Sequence, residues 1–305
     1  MSDTKQFLGI EVGAASLKVA LLDPAEKRIV KTAVLETESS PLDDVYTFET
    51  VLQGWIDENQ LTVDGVALSV PAFRSVIRQI FVPAEAVKTI DEYLDWYLGL
   101  ITNAEPGSYI LDYKVLSGDA TVGQTVLLIA VRKEWVDGLR KGFRSKSLLP
   151  KAMEVDVLSI LNLMDFTSQA GDKMECVIKA DFTGVTMMWL TKDNLKALRC
   201  VSTLSLAGKS AEEAYPLLVD EIYNQFLLAQ EEDLSFNVHS VNLCGEMATA
   251  PVFVEALGAK FADNEFVLMD EFPNLRLPVV AEDSVAVPCS TAAIGAALSL
   301  MEEGV

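Results

Sequence analysis

The sequence predicts an α/β protein made of two related halves, each opening with a β-hairpin that carries an acidic residue near its tip. Three observations lead there. Residues 7–23, FLGIEVGAASLKVALLD, run from an apolar segment through Glu11, a turn of small residues and Lys18 into a second apolar segment ending at Asp23. Residues 176–193, CVIKADFTGVTMMWLTKD, repeat that layout at a constant offset of about 170 residues. Glu11 then aligns with Asp181, Gly13 with Thr183, Ala14 with Gly184, Ser16 with Thr186 and Asp23 with Asp193. Finally, residues 240–257 run from a strand through Cys244-Gly245-Glu246 into a helix opened by Pro251. In that arrangement a nucleotide can lie against a helix N-terminus.

The hairpins have a chemical reading. Gly13 can take backbone angles closed to other residues, and small neighbours let main-chain N–H groups approach a ligand. Such a turn can cradle a phosphate, with Ser16 and Lys18 as added donors. Two acid-tipped hairpins facing each other across a cleft would grip a polyphosphate and its metal from both sides.

Composition narrows the classes. The 305 residues are half apolar, enough for two domains with substantial cores. Lys and Arg total 24 against 45 Asp and Glu, a formal net charge of −21. That field repels nucleic acid and anionic lipid, so neither is expected as a partner. Cys176, Cys200, Cys244 and Cys289 are far apart, and His239 is the only histidine. They read as reduced thiols rather than a zinc site. No Lys/Arg-led hydrophobic segment opens the chain, and the apolar run at 291–301 is too short to span a bilayer. A soluble cytoplasmic protein with no direct membrane insertion is the expectation.

Taken in order, residues 29–35 read as a third strand beside the first hairpin and 37–44 as a polar loop. Residues 47–58 have apolar positions at helical spacing (Phe48, Val51, Leu52, Trp55, Ile56), and 63–70 and 76–82 are strands that stop at prolines. Hairpin strands followed by alternating helix and strand imply a mixed sheet. From Ala84 a helix–strand–strand–helix block (89–102, 109–117, 125–132, 133–143) reads as a small inserted subdomain, with Tyr93, Trp96 and Tyr97 in its core. Residues 148–155 can return a strand. Asp156 then opens a helix and reads as its N-cap rather than as a catalytic base. After the second hairpin come a strand at 196–203 and a long helix at 212–231 with Leu217, Ile222, Phe226 and Leu227 toward a core. Residues 270–278 are irregular, and an Ala-rich helix at 290–302 suits close packing.

The ordered set of acidic hairpin, second acidic hairpin and strand–glycine–helix resembles the actin-like ATPase fold of actin, heat-shock chaperones and sugar kinases. That fold consists of two duplicated ribonuclease H-like domains. Within it the chain resembles the PilM family of type IV pilus assembly proteins. The cues are Ile10-Glu11-Val12-Gly13 with Lys18, the segments 66–71 and 76–83, Leu111-Asp112-Tyr113 and Ala130-Val131-Arg132-Lys133-Glu134. Leu149-Pro150 with Val155-Asp156, and Leu243-Cys244-Gly245, complete them. The resemblance implies a first domain at 1–168 with an insertion at about 84–150, and a second at 169–289. The helix at 290–303 would pack back on the first domain.

It further implies a cytoplasmic scaffold that binds ATP with magnesium in the cleft, with at most weak ATPase activity. The scaffold would grip a short cytoplasmic peptide of an inner-membrane pilus assembly protein; self-association stays open. By position, Gly13, Ala14, Ser16 and Lys18 would meet the phosphates on one side and Thr183, Gly184 and Thr186 on the other. Glu11 and Asp181 would orient the magnesium through waters, and Gly245 with its neighbours, Glu246 among them, would lie under the adenosine. Two positions depart from the family, which usually has Asp where this chain has Glu11 and glycines where it has Glu246. The second puts a negative charge beside a polyanion. Two such charges about 4 Å apart repel by about 4 kcal/mol at an effective dielectric of 20. The alternatives of the same fold are a degenerate member without nucleotide, a small-molecule kinase, and the cytoplasmic part of a type II secretion protein.

Overall fold

Strands β1 (Phe7–Val12) and β2 (Ser16–Asp23) are buried at every position. They are central strands covered on both faces, which is why they read as unbroken apolar runs rather than alternating ones. The computed structural model describes residues 5–38, 40–41, 45–105, 107–143, 145–167, 171–191, 194–232, 237–280 and 286–302. Asp193, the expected counterpart of Asp23, and Ser39, Leu42, Asp43 and Asp44 of the polar loop lie outside the described residues.

The first sheet has the order β3-β2-β1-β4-β8, using β3 (Arg28–Glu36), β4 (Gly65–Val70) and β8 (Ala152–Val155). Its hairpin strands pair antiparallel, and β4 and β8 run parallel to β1. The second sheet repeats this arrangement as β11-β10-β9-β12-β13. It comprises β9 (Met174–Asp181), β10 (Gly184–Thr191), β11 (Asn194–Ser202), β12 (Val238–Cys244) and β13 (Glu265–Leu268). The helices fall in matching slots. In the first half, α1 (Val45–Glu58) precedes β4, α3 (Lys133–Gly142) precedes β8, and α4 (Asp156–Thr167) follows it. In the second half, α5 (Ala211–Glu232), α6 (Pro251–Lys260) and α7 (Thr291–Glu302) take the same three places. The duplication legible at the hairpins therefore extends through both halves.

The insertion between β4 and α3 is a three-stranded antiparallel sheet, β5-β7-β6, of β5 (Ser75–Val82), β6 (Tyr109–Asp119) and β7 (Gly123–Arg132), with α2 (Ile90–Thr102) against it. The sequence reading placed residues 76–82 in the first sheet; the structure pairs them with β7 along their whole length. Strand length and alternation do not reveal which sheet a strand joins, because pairing is a tertiary choice.

Three further positions differ. Trp96 is not core but 60% exposed, while Leu98 is buried in its stead. Leu217 and Leu227 are exposed, at 50% and 38%, and Leu218, Ile222, Phe226 and Ala229 form the buried stripe of α5. Apolar residues surround that helix, so periodicity alone cannot choose the face. The short strand β13, too brief to show a period, is held by parallel pairing to β12.

Helix α7 closes the first half. Its Ala-rich face meets β1 where a Cβ on Gly9 would stand 1.8 Å from the Ala293 carbonyl oxygen. A Cβ on Gly295 would stand 1.8 Å from the Ser159 carbonyl oxygen of α4. The core of this half continues onto one face of the second sheet through Val177, Met188, Leu190 and Leu195. The other face of that sheet makes a second core with α5 and α6, around Trp189, Phe226 and Phe253.

Gly9→Ala and Gly295→Ala are each expected to lower unfolding free energy by about 3 kcal/mol or more, since backbone rather than a flexible side chain must move. Gly54→Ala, in α1 with nothing among the described residues within 4 Å of the new Cβ, is expected to gain up to about 1 kcal/mol. Urea denaturation midpoints of the three variants check both signs.

Candidate functional site

The two hairpins meet where β1 and β9 end. Glu11 ends one strand face beside its cross-strand partner Lys18, and Asp181 ends the other beside Gly184. Side chains alternate along a strand, so Lys179, two residues before Asp181, points into the same space. It is the residue the sequence reading missed. Its signal was a single cation inside the otherwise apolar run CVIKAD.

Lys179 is 2% exposed, and its Nζ lies 2.8 Å from Glu11 Oε1 and 3.1 Å from Asp156 Oδ2, and also contacts Asp181 Oδ2. Lys18, 1% exposed, sits beside it with its Nζ 3.1 Å from Glu11 Oε1, 3.4 Å from Asp181 Oδ1 and 3.1 Å from Glu246 Oε1. Four carboxylates thus surround two ammonium groups. Every one of these pairs except Lys18–Glu11 and Lys179–Asp181 joins a residue of the first half to one of the second. Backbone donors add to the cluster. The Glu246 N–H donates to Asp181 Oδ1 at 2.9 Å, the Phe182 N–H to Glu246 Oε2 at 3.0 Å, and the Ala72 N–H to Asp156 Oδ1 at 3.1 Å.

The protonation states follow. Burial pushes the Lys18 and Lys179 ammonium groups toward neutrality, but Asp181 and Glu11 more than offset it, so both hold their protons far above the usual lysine range. Burial likewise raises the Asp181 carboxyl, and Lys179 and Lys18 overcome that and hold it well below its ordinary range. Asp156 goes the other way. Burial, with Glu11 and Asp181 nearby, raises it despite Lys179.

The expected site residues separate into two groups. Glu11, Lys18, Asp181 and Glu246 come together, but as partners of one another. Lys18, the expected phosphate donor, has three carboxylates around its ammonium group. Gly13 uses its N–H within its own turn, donating to the Ser16 carbonyl at 2.9 Å, beside a buried Ser16 and a half-buried Ala14. Gly245, at φ +94°, is required by the close passage of β9, because a Cβ there would stand 2.6 Å from the Ala180 carbonyl oxygen. Asp156 opens α4 as read, yet its carboxylate ties Ala72 and Lys179 instead of capping the helix. Thr183, Gly184 and Thr186 line an open cavity of about 700 Å³ to which Asp156, Lys179 and Asp181 of the cluster also contribute.

The family resemblance read from the sequence implies magnesium here. The donor set is the right kind, with carboxylate oxygens of Glu11, Asp156 and Asp181 all within 4.8 Å of one another. The centre of that triad, however, is the position of the Lys179 ammonium. A divalent cation about 3 Å from it would meet a repulsion on the order of 10 kcal/mol at an effective dielectric of 20. The residues present therefore do not fit a magnesium ion while Lys179 stays in place.

The chain has the actin-like ATPase fold. It is similar over 96% of its length to a PilM–PilN type IV pilus biogenesis complex, with 97% of that chain covered, a TM-score of 0.77 and 17% identity. The cytoplasmic domain of EpsL, an inner-membrane component of the type II secretion system of Vibrio cholerae, is similar at TM-score 0.52 and 10% identity, covering 92% of this chain and 93% of that one. A Bacteroides thetaiotaomicron protein of unknown function, described as having an actin-like ATPase fold, matches at TM-score 0.51 and 12% identity over 88% and 93% of the two chains. No protein-family model matches the chain. No curated protein matches it by sequence. Among the described residues, no helix is long and apolar enough to cross a membrane.

Lys179→Met is expected to cost about 3–5 kcal/mol, the usual penalty for leaving buried carboxylates without their cation, read from chemical denaturation. The pH dependence has a defined sign. Asp181 lies below its ordinary 3.8 when folded, so its contribution is complete above that pH and is lost as pH falls further. Lys18 and Lys179 lie above 10.5 when folded, so their contribution is complete below that pH. Asp156, raised from 3.8, adds its cost as pH rises through that value. The melting-temperature gap between the wild type and Asp181→Asn is expected to hold above pH 5 and to shrink as pH falls below about 4.

Proposed function

We propose that this chain is a PilM-like scaffold of a type IV pilus or related secretion assembly platform. In this reading it works at the cytoplasmic face of the inner membrane by binding. It holds a short cytoplasmic peptide of an inner-membrane assembly protein, and its two actin-like domains divide near residue 168. The observation that carries the reading is the match along nearly the whole of both chains to a PilM–PilN complex, insertion included.

The ionic cluster supports a scaffold over a kinase or ATPase. Phosphoryl transfer relies on cations and donors placed around the phosphates and on a base free to orient the nucleophile. Here Lys18 and the Phe182 N–H are both bound to Glu246, and Asp156 is bound to Ala72 and Lys179. The reading therefore assigns ATP and magnesium no role in holding the cleft. The likeness to the type II secretion domain is lower in TM-score and ranks as the second choice of machinery.

The test is isothermal titration of the purified chain with a synthetic peptide. The peptide copies the cytoplasmic end of the inner-membrane assembly protein that this reading requires. Saturable one-to-one binding, with no phosphate release from ATP above background, is expected. Absence of binding together with phosphate release on addition of a small metabolite would replace the scaffold reading with a kinase.

A further inference from the structure

We infer that the cleft carries its own substitutes for a bound ligand. Lys179 stands in for a divalent cation, and the Glu246 carboxylate fills the anion seat made by Lys18 and the hairpin N–H of Phe182. The two halves are thereby held together without any ligand, and a divalent-cation site lies latent beneath Lys179. The inference concerns the cleft alone and stands whether or not the pilus reading holds.

The cation half rests on geometry. Lys179 Nζ touches one oxygen from each of Glu11, Asp156 and Asp181, the same three side chains whose oxygens are close enough to share an ion. Two ammonium groups do not exhaust this set. Glu11 is 1% exposed and its Oε2 has no hydrogen-bond partner among the described residues. A buried carboxylate oxygen without a donor is a costly arrangement and leaves that oxygen with unused accepting capacity. Removing the ammonium group while keeping the length of the side chain would leave three carboxylates, one of them already with a spare oxygen, and only Lys18 to balance them. Hard oxygen donors in that number suit magnesium or manganese.

The anion half is equally specific. A backbone N–H at a hairpin turn and a lysine ammonium group aimed at one point make an anion site. Glu246 reaches it with both oxygens, Oε1 to Lys18 at 3.1 Å and Oε2 to the Phe182 N–H at 3.0 Å. Its own N–H meanwhile binds Asp181. Glu246 is thus fixed at both ends of the residue, and a free anion would have to displace it.

The crossing pairs explain what the substitution achieves. Lys18 of β2 reaches Asp181 and Glu246 in the second half, and Lys179 of β9 reaches Glu11 and Asp156 in the first. Each lysine is anchored on one side of the cleft and pays out its charge on the other. A cation and a phosphate arriving from solution would bridge the same carboxylates and donors only while bound; these are covalently part of the chain.

The probes are manganese followed by electron paramagnetic resonance, and thermal unfolding with magnesium, inorganic phosphate or chelator. Wild-type protein is expected to bind no manganese saturably and to melt at one temperature in all conditions. Lys179→Met is expected to melt lower in chelator, to bind about one manganese per chain, and to regain about 4 °C with the cation at roughly 100 times its dissociation constant. Glu246→Ala, with Lys179 intact, is expected to gain a melting increase from inorganic phosphate that the wild type lacks, and no response to magnesium. Saturable manganese binding by the wild type would overturn the inference. So would a Lys179→Met protein indifferent to the cation, or a phosphate response equal in wild type and Glu246→Ala, which decides the matter should Lys179→Met fail to fold.

Discussion

The constraint on which the rest of this structure depends is the pairing of two buried lysines with four carboxylates across the line where its halves meet. Buried charges are tolerated only when paired and hydrogen-bonded, since each costs several kcal/mol to desolvate. Here every carboxylate of the set contacts an ammonium group, and three of them also accept a backbone N–H. The strand ends, the turn at Phe182 and the loop at Gly245 must hold their positions for those bonds to form. The cluster consequently fixes the register of one half against the other, while the apolar core shared between them supplies most of the attraction.

That division of labour clarifies what the sequence could reveal. The two hairpins were readable because each is a long apolar run broken by an acid and a small-residue turn, and because the pattern occurs twice. The fold followed, as did the convergence of Glu11 and Asp181. Lys179 was not readable in the same way. One lysine within a strand ordinarily directs its ammonium group to water, and only the opposing half turns this one into a buried cation. Glu246 was noticed as a charge out of place beside a polyanion, but its partners, Lys18 and the Phe182 N–H, come from elements far from it in sequence. Pairing partners explain the other differences too. The strand at Ser75–Val82 has the same texture whichever sheet it joins, and α5 offers more apolar positions than one face can use.

Asp156 shows how a local rule yields to a tertiary one. An Asp at the start of a helix is a good cap, worth about 1 kcal/mol in an exposed setting. Buried beside Lys179 and the Ala72 N–H, it has stronger partners, and its carboxylate turns to them. Carboxyl groups of one cluster shift in opposite directions, with Asp181 held low by two cations and Asp156 raised by burial despite Lys179. In this chain Asp156 and Asp181 are part of the protein's own ionic packing.

The most direct measurement is a crystal structure of the wild-type chain grown or soaked with manganese and ATP, with anomalous scattering recorded at the manganese edge. The Lys179 ammonium group is expected between Glu11, Asp156 and Asp181, with no anomalous peak there. A manganese peak at that point, with Lys179 swung aside and phosphates against Lys18, would contradict it.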